Sequence, residues 1–338
     1  MEKHKSKIDI AVLILFFNRP VLLEKVFEQV RIARPSKLYL FQDGAREGRP
    51  DDVENIQKCR EVVANIDWEC EVHFNYQEKN NGCDPSEYLA QKWMFETEEM
   101  GIVLEDDDVP SQSFFPFCKE LLEKYKDDER VAMICGMNNL GVYEDCPYDY
   151  LFSKVGSIWG WASWKRVIDE WTDHVEFIED EYAVKQFTEM YKDRMNLERY
   201  FSTLKAHNAS GRAHYESIMS SNALNKNQLN IVPKKNMISN LGFTGESTHG
   251  ASDINHLPKA TRKVFDMKLY EIDFPLKHPP YMIEDMIFLK DFNRLMGIGH
   301  PLVSIYRTFE GVFYRLRAGD FTVFKKIFKR IKKKIINK

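Results

Sequence analysis

The sequence predicts an α/β protein: a mostly parallel, doubly wound sheet with helices on both faces. Two observations predict it. Apolar, β-branched runs alternate with helical patterns through the first 140 residues, which is the signature of a sheet wound with crossover helices. The first run, Ile8–Phe16, is apolar almost throughout, as a strand buried on both faces must be. Ligands of such sheets bind beyond the carboxyl ends of the strands. The informative residues are therefore those just after each run: Asn18-Arg19, Asp43-Gly44 and Glu105-Asp106-Asp107.

The elements come in a regular order. After the strand Ile8–Phe16, Pro20–Ala33 reads as a helix with proline at its start, where the missing N–H costs nothing. Lys37–Phe41 is a second strand, ended by Gln42-Asp43-Gly44. A helix over 51–64, a strand over 70–75, a helix over 85–98 and a strand over 101–104 continue the alternation. Ser111–Tyr125 reads as a helix with Ser111 as its N-cap, and Val131–Cys135 as the fifth strand. The second half is less regular, rich in Trp, Tyr and Asn, with short strands around 230–232 and 237–238.

Composition narrows the classes. From Gly299 to Lys338 there are eleven Lys or Arg against two Asp or Glu, a net of +9, leaving −13 on the rest for the total of −4. An acidic body with a basic tail argues against a general nucleic-acid binder. The six cysteines form no CxxC pair, which argues against a cysteine zinc site. The amino-terminal apolar run is interrupted by Asp9 and followed by no small-residue cleavage site, so it reads as a strand and not a signal peptide. No stretch approaches the ~20 apolar residues of a membrane span. The expectation is a cytoplasmic protein, peripheral on the inner face of the cell membrane.

Two places carry chemistry. The first strand enters Phe-Phe-Asn-Arg-Pro without the glycines that let backbone amides approach a diphosphate. The fourth strand empties into Glu105-Asp106-Asp107-Asp108. Four acids after a strand suit a divalent cation, Mn2+ or Mg2+, that bridges carboxylates to phosphate oxygens. A solvated acidic turn would give the same four letters. Trp159 and Trp161, in the aromatic stretch that includes Gly160–Val167, offer flat apolar faces to a sugar or are core residues at a helix start. Asn138 and Asn139 either bond sugar hydroxyls or form a turn.

Several motifs stand in a fixed order: IAVLILFFNRP, YLFQDG, NNGC at Asn80–Cys83, GIVLEDDDVPSQSFFPFCKELLEKY, MICGMNNLG, GWASWKRV, the Tyr215-Glu216 region and PKKNMISNLGFTGESTHG. The set resembles the GT-A glycosyltransferases, most closely the N-acetylglucosaminyltransferases acting on mannose of N-glycans and O-mannosyl glycans, and related bacterial nucleotide-diphospho-sugar transferases. The resemblance covers residues 8 to 250. It implies a GT-A catalytic domain over 1–255, nucleotide-binding over 1–140 and acceptor-side over 141–255, with a carboxyl-terminal extension over 256–338. The implied reaction is inverting transfer of a hexose or N-acetylhexosamine from a UDP-sugar to a saccharide acceptor, lipid-linked in bacterial surface polysaccharide synthesis.

Carried over by residue, the resemblance implies that Asn18 and Arg19 meet the donor, with Arg19 on its phosphates, a contact its charge suits independently. It implies that Asp43 accepts the uracil N3–H, or else opens an Asp-Gly turn. Glu105 would face the transferred sugar, Asp106 the ribose and Asp107 the metal, with His249 closing the metal site. Glu216, after Tyr215, would be the catalytic base. The sequence departs from its relatives at Asp108, which is non-acidic there, at Asp84, where the bacterial relatives carry Lys, and at Tyr215-Glu216, which stands for their Trp-Asp.

In the tail, Phe321, Phe324, Phe328, Ile331 and Ile335 form one apolar helical stripe with lysines and an arginine on the other faces. A basic amphipathic helix over 319–338 lying on an anionic membrane is expected; a solvated helix or disordered tail is the plainer reading. Two rival functions remain. A nucleotidyltransferase shares the nucleotide-binding sheet and the metal but would bring a glycine-rich loop with Lys or Arg near its amino terminus. A non-enzymatic membrane-binding protein rests on the tail alone.

Overall fold

The structure, a computed structural model, describes residues 3–243, 254–317, 319 and 320. The apolar stripe from Phe321 onward and His249 lie outside the described residues.

The amino-terminal half builds the parallel part of the sheet. β1 (Ile8–Phe16), β2 (Pro35–Gln42), β3 (Glu71–Tyr76) and β4 (Met100–Glu105) alternate with α1 (Pro20–Ala33), α2 (Pro50–Val63) and α3 (Cys83–Thr97). β1 pairs in parallel with β2 on one side and β4 on the other, and β2 pairs in parallel with β3. Ile10–Phe16 are all buried, because β1 beyond its first two residues is sandwiched between helical layers. After β5 (Asp108–Pro110), α4 (Phe114–Lys124) and β6 (Val131–Cys135), the chain adds β7 (Tyr150–Ser153), β8 (Trp161–Trp164), β9 (Leu229–Pro233) and β10 (Ile238–Asn240).

The main sheet has eight strands in the order β3-β2-β1-β4-β8-β6-β9-β7, and β5 pairs with β10 in a small second sheet. β8 runs against β4 and β6, and β7 runs against β9; the other six strands share one direction. Winding outward from β1 to β3 and then returning to β4 on the far side of β1 reverses the crossovers, so α1 and α2 cover one face and α3 the other. The reversal leaves a crevice between the carboxyl ends of β1 and β4, the place where such sheets bind ligands.

Around this frame lie α5 (Lys165–Ile168), α6 (Glu181–Tyr191), α7 (Leu197–Ser210), α8 (Tyr215–Asn225), α9 (Lys259–Arg262), α10 (Met286–Met296) and α11 (Pro301–Arg317). The segment after residue 255 enters the main core: Val264, Leu276, Phe288 and Phe292 are buried in it.

Some expectations change. α4 begins at Phe114, with Ser113 rather than Ser111 at the cap position, and neither hydroxyl caps it. The carboxylate of Glu271 does, accepting the amides of Gln112 at 3.1 Å and Ser113 at 2.6 Å. Trp161 lies on β8 at 1% exposure, packed on Trp171 with ring centres 6.2 Å apart. It is a core residue, closed to any ligand.

Candidate functional site

β1 and β4 are neighbours, so the turns at their carboxyl ends meet. Pro20 opens α1 at once, and Arg19 at its cap position is thrown across the sheet edge. Its Nε donates to Asp106 Oδ2 at 3.3 Å, its Nη2 to Asp106 Oδ1, and its Nη1 pairs with Asp107 Oδ2 at 2.7 Å. Burial works against the Arg19 charge, but Asp106 and Asp107 outweigh it and hold the guanidinium above its ordinary pKa.

The acidic turn separates its members. Asp108 is fully buried; its Oδ2 accepts the Gly160 amide at 2.9 Å and its Oδ1 the Asn240 amide group at 3.0 Å. Asn240, ending β10, also donates to Asp107 Oδ1 at 3.1 Å. Asp108 is thus a structural post joining β5, β8 and β10, whereas Asp107 turns its other oxygen to Arg19. Close approach of the chain here requires glycine: a Cβ on Gly242 would lie 2.1 Å from Asp107 Oδ2. Burial pushes the Asp107 carboxyl up to about 6 against the pull of Arg19. Burial, then the neighbouring carboxylates led by Glu87, pushes Glu105 well above the usual range.

In front of this turn is a cavity of about 440 Å³, lined among others by Phe17, Arg19, Asp43, Arg46, Glu87 and Glu105. Asp43, at the carboxyl end of β2, accepts five bonds from its own turn and the loop before α3: the amides of Gly44, Asn81 and Gly82 at 2.9, 2.9 and 3.1 Å, and the side chains of Asn80 and Asn81 at 2.8 and 3.3 Å. A carboxylate has about four lone-pair sites, so Asp43 shapes this wall, and a further donor would have to displace one of the asparagines. Asn18 donates to the buried carboxylate of Asp52 at 2.7 Å, and Arg46 grips the same carboxylate with two bonds of 2.7 Å. The two-bond grip of Arg46, resisted by burial, holds the Asp52 carboxyl down at about 2.

α8 meets the end of β4 through its first residue. Tyr215 is buried and its hydroxyl donates to Glu105 Oε1 at 3.4 Å. Glu216, next in the first turn, is exposed. Asp84 pairs with His214 at 3.1 Å and so ties the start of α3 to the start of α8. Trp159 is half-buried, stacked obliquely on Phe265 with ring centres 5.1 Å apart, and Phe265 meets Phe243 at 5.0 Å. Each ring adjoins an anchor of the acidic turn: Trp159 precedes Gly160, Phe243 follows Gly242, and Phe265 precedes Asp266, whose amide donates to Asn240 O at 2.9 Å.

Asn138 is not part of the site. It has no exposed surface; its side chain donates to Pro233 O and Lys234 O at 2.8 and 3.1 Å and accepts the Leu140 amide at 2.9 Å. It holds a turn. Glu87, Asp52, Asn240 and the two phenylalanines carry no sequence signal of their own. Glu87 sits in an ordinary helical pattern; Gly242-Phe243, beside the acid-holding Asn240, is visible only as part of a longer motif. Among the described residues no group of three or more His, Cys, Asp or Glu is disposed to hold a metal ion. The six cysteines are free thiols, four of them buried.

No protein-family model matches the chain, and no curated protein matches it. Among solved structures, apo UDP-glucose pyrophosphorylase aligns over 69% of this chain and 93% of its own at 10% identity, with a TM-score of 0.36. UDP-glucose pyrophosphorylase complexed with UDP-glucose aligns over 68% and 92% at 8% identity, TM-score 0.33. HddC from Yersinia pseudotuberculosis aligns over 48% and 80% at 11% identity, TM-score 0.30. Likeness at this level assigns no activity to the chain.

Proposed function

We propose that this chain is a metal-dependent, inverting glycosyltransferase that moves a hexose or N-acetylhexosamine from a UDP-sugar to a lipid-linked saccharide. The observation that supports it best is the crevice between β1 and β4. There Arg19, braced on Asp106 and Asp107, stands at the wall of a cavity about 440 Å³ in volume, within the roughly 300–1,000 Å³ of small-molecule sites. The turn after β1 has no glycine, so a diphosphate held here must be neutralised by side chains and a cation, not by a cradle of amides. The same absence weighs against a nucleotidyltransferase.

The residues fit a hard divalent ion. Mg2+ and its like take one or two carboxylates and fill the remaining positions with substrate phosphates and water, so Asp107 with a donor diphosphate suffices. Glu105, Asp107 and Asp108 are all pushed up by burial and then by neighbouring carboxylates, the condition that added positive charge relieves. Bound there, Mn2+ or Mg2+ would supply counter-charge to the leaving diphosphate.

The chain's own residues do the rest. Arg19 binds phosphate, and Asp43 orders the loop of the cavity wall. Trp159, Phe243 and Phe265 give apolar faces for the C–H side of an acceptor sugar. The acceptor oxygen bonds to the anomeric carbon as UDP leaves with the electron pair of the broken bond, and Glu216 takes the hydroxyl proton. Glu216 is exposed at the start of α8, beside the Tyr215 that reaches Glu105, where an acceptor can meet it.

Calorimetric titration in Mn2+ tests the reading: UDP binds better than GDP or CMP, and Asp107→Ala weakens that binding and abolishes turnover. Glu216→Gln binds UDP like wild type but transfers sugar about 10²-fold more slowly or worse. A preference for GDP removes the UDP assignment, and near wild-type transfer by Glu216→Gln removes the base. Pyrophosphate-dependent formation of UTP would replace the reading with a nucleotidyltransferase.

A further inference from the structure

α11 is fastened to the body by one side only. Arg307 Nη2 donates to Arg294 O at 3.2 Å, Arg262 lies over the Tyr314 ring at 4.3 Å, and Gly311 passes against Pro258. The opposite side carries Leu302, Ile305, Tyr306, Phe309 and Phe313, each more than half exposed, with Leu302 at 79% and Phe309 at 70%. At 3.6 residues per turn these five fall within an arc of about 100°. Single exposed apolar residues are ordinary, but five large ones on a single helix face mark a surface that something covers.

We propose that this face of α11 docks on an anionic lipid surface. Charge selects the occupant. α11 carries Arg307, Arg315 and Arg317 against the single acid Glu310. The chain beyond it, residues 321–338, adds eight Lys or Arg and no acid. A second copy packed face to face would offer these basic residues the same positive charge and only the one acid of α11. An anionic membrane offers the opposite charge to the basic residues and apolar depth to the stripe. No helix among the described residues is long and apolar enough to cross a membrane, so the helix lies in the surface and does not span it. The face lies on a helix separate from the crevice between β1 and β4, and its docking needs no donor. It therefore stands or falls apart from the glycosyltransferase reading.

Sedimentation of the full chain with vesicles tests it, comparing phosphatidylcholine alone with phosphatidylcholine containing phosphatidylglycerol. Wild type pellets with the anionic vesicles and is released by salt. The triple variant Ile305→Ser, Phe309→Ser, Phe313→Ser binds them about 10-fold or more weakly while its melting curve is unchanged, since the three side chains already face water. An independent gain-of-signal variant, Phe309→Trp, becomes quenched by vesicles of brominated phosphatidylglycerol beyond the wild-type level. Undiminished vesicle binding by the triple variant, or no added quenching in Phe309→Trp, overturns the proposal and leaves the tail as the sole anchor. Absence of vesicle binding by wild type, with a dimer that the triple variant breaks, overturns it in favour of a second copy.

Discussion

Glu87 sits buried on α3, its carboxylate accepting the Cys83 thiol at 3.3 Å, with Asp84, Glu216 and Asp107 as nearby negative charges. Burial first, and then those charges, push its carboxyl up to about 8. In the unfolded chain the same group ionises near its ordinary value of about 4.3. Between these two values the folded protein binds the extra proton, so this group lowers stability progressively as pH rises from about 4 to about 8. Glu87→Gln keeps shape and hydrogen bonding without the proton equilibrium. Its urea midpoint should therefore exceed wild type by more at pH 8 than at pH 5; an equal difference at both would mean that Glu87 ionises freely in the folded state. The cost falls on a residue that lines the cavity.

α4 shows an element whose end is set from far away. The amides of its cap residue Ser113 and of Gln112 before it are satisfied by Glu271, 158 positions after Ser113, while the Ser113 hydroxyl is occupied with the backbone of Ile272. A carboxylate at a helix start both accepts the orphan amides and opposes the helix dipole. Glu271→Ala should cost about 1–2 kcal/mol in denaturant unfolding; a loss no larger than that of the exposed Glu123→Ala would show that solvent caps α4 as well. The same geometry explains what the sequence can and cannot reveal. β1, α1 and β6 read correctly end to end because their signals are local: a continuous apolar run, or a proline at the helix start. The start of α4 reads three residues early because its cap is remote. β7 and β8 are four-residue strands, too short to show a period, and Trp161 on β8 looks like a ligand wall until neighbours cover it. In the site, the meeting of Arg19 with the acidic turn comes from strand order alone. Asn240, which holds both Asp107 and Asp108, does not, because its contacts span more than 130 residues.

For the whole molecule, the segment after residue 255 is bonded into the sheet and not appended to it. Asp149 O accepts the Lys234 amide and Lys277 O the Asp149 amide, Leu276 donates to Glu120 at 3.2 Å, and Asp285 to Phe152 O at 2.8 Å. A chain ended after residue 255 loses four buried core residues and the α4 cap, and should show no cooperative unfolding transition by circular dichroism. A chain ended after Asp320 keeps them and should unfold at the wild-type midpoint. An intact transition in the shorter chain would show that the first 255 residues fold alone. The placement of β9 between β6 and β7 carries this into the life of the chain in the cell. β6 and β7 leave the ribosome with the slot between them empty until residues 229–233 arrive, and α4 waits still longer for Glu271. Synthesis at about 5–20 residues per second thus holds two apolar strand edges and an uncapped helix open for several seconds. Open apolar edges of this kind are the surfaces that aggregate when a chain is left unfinished, and a chain cut short before residue 271 would keep them.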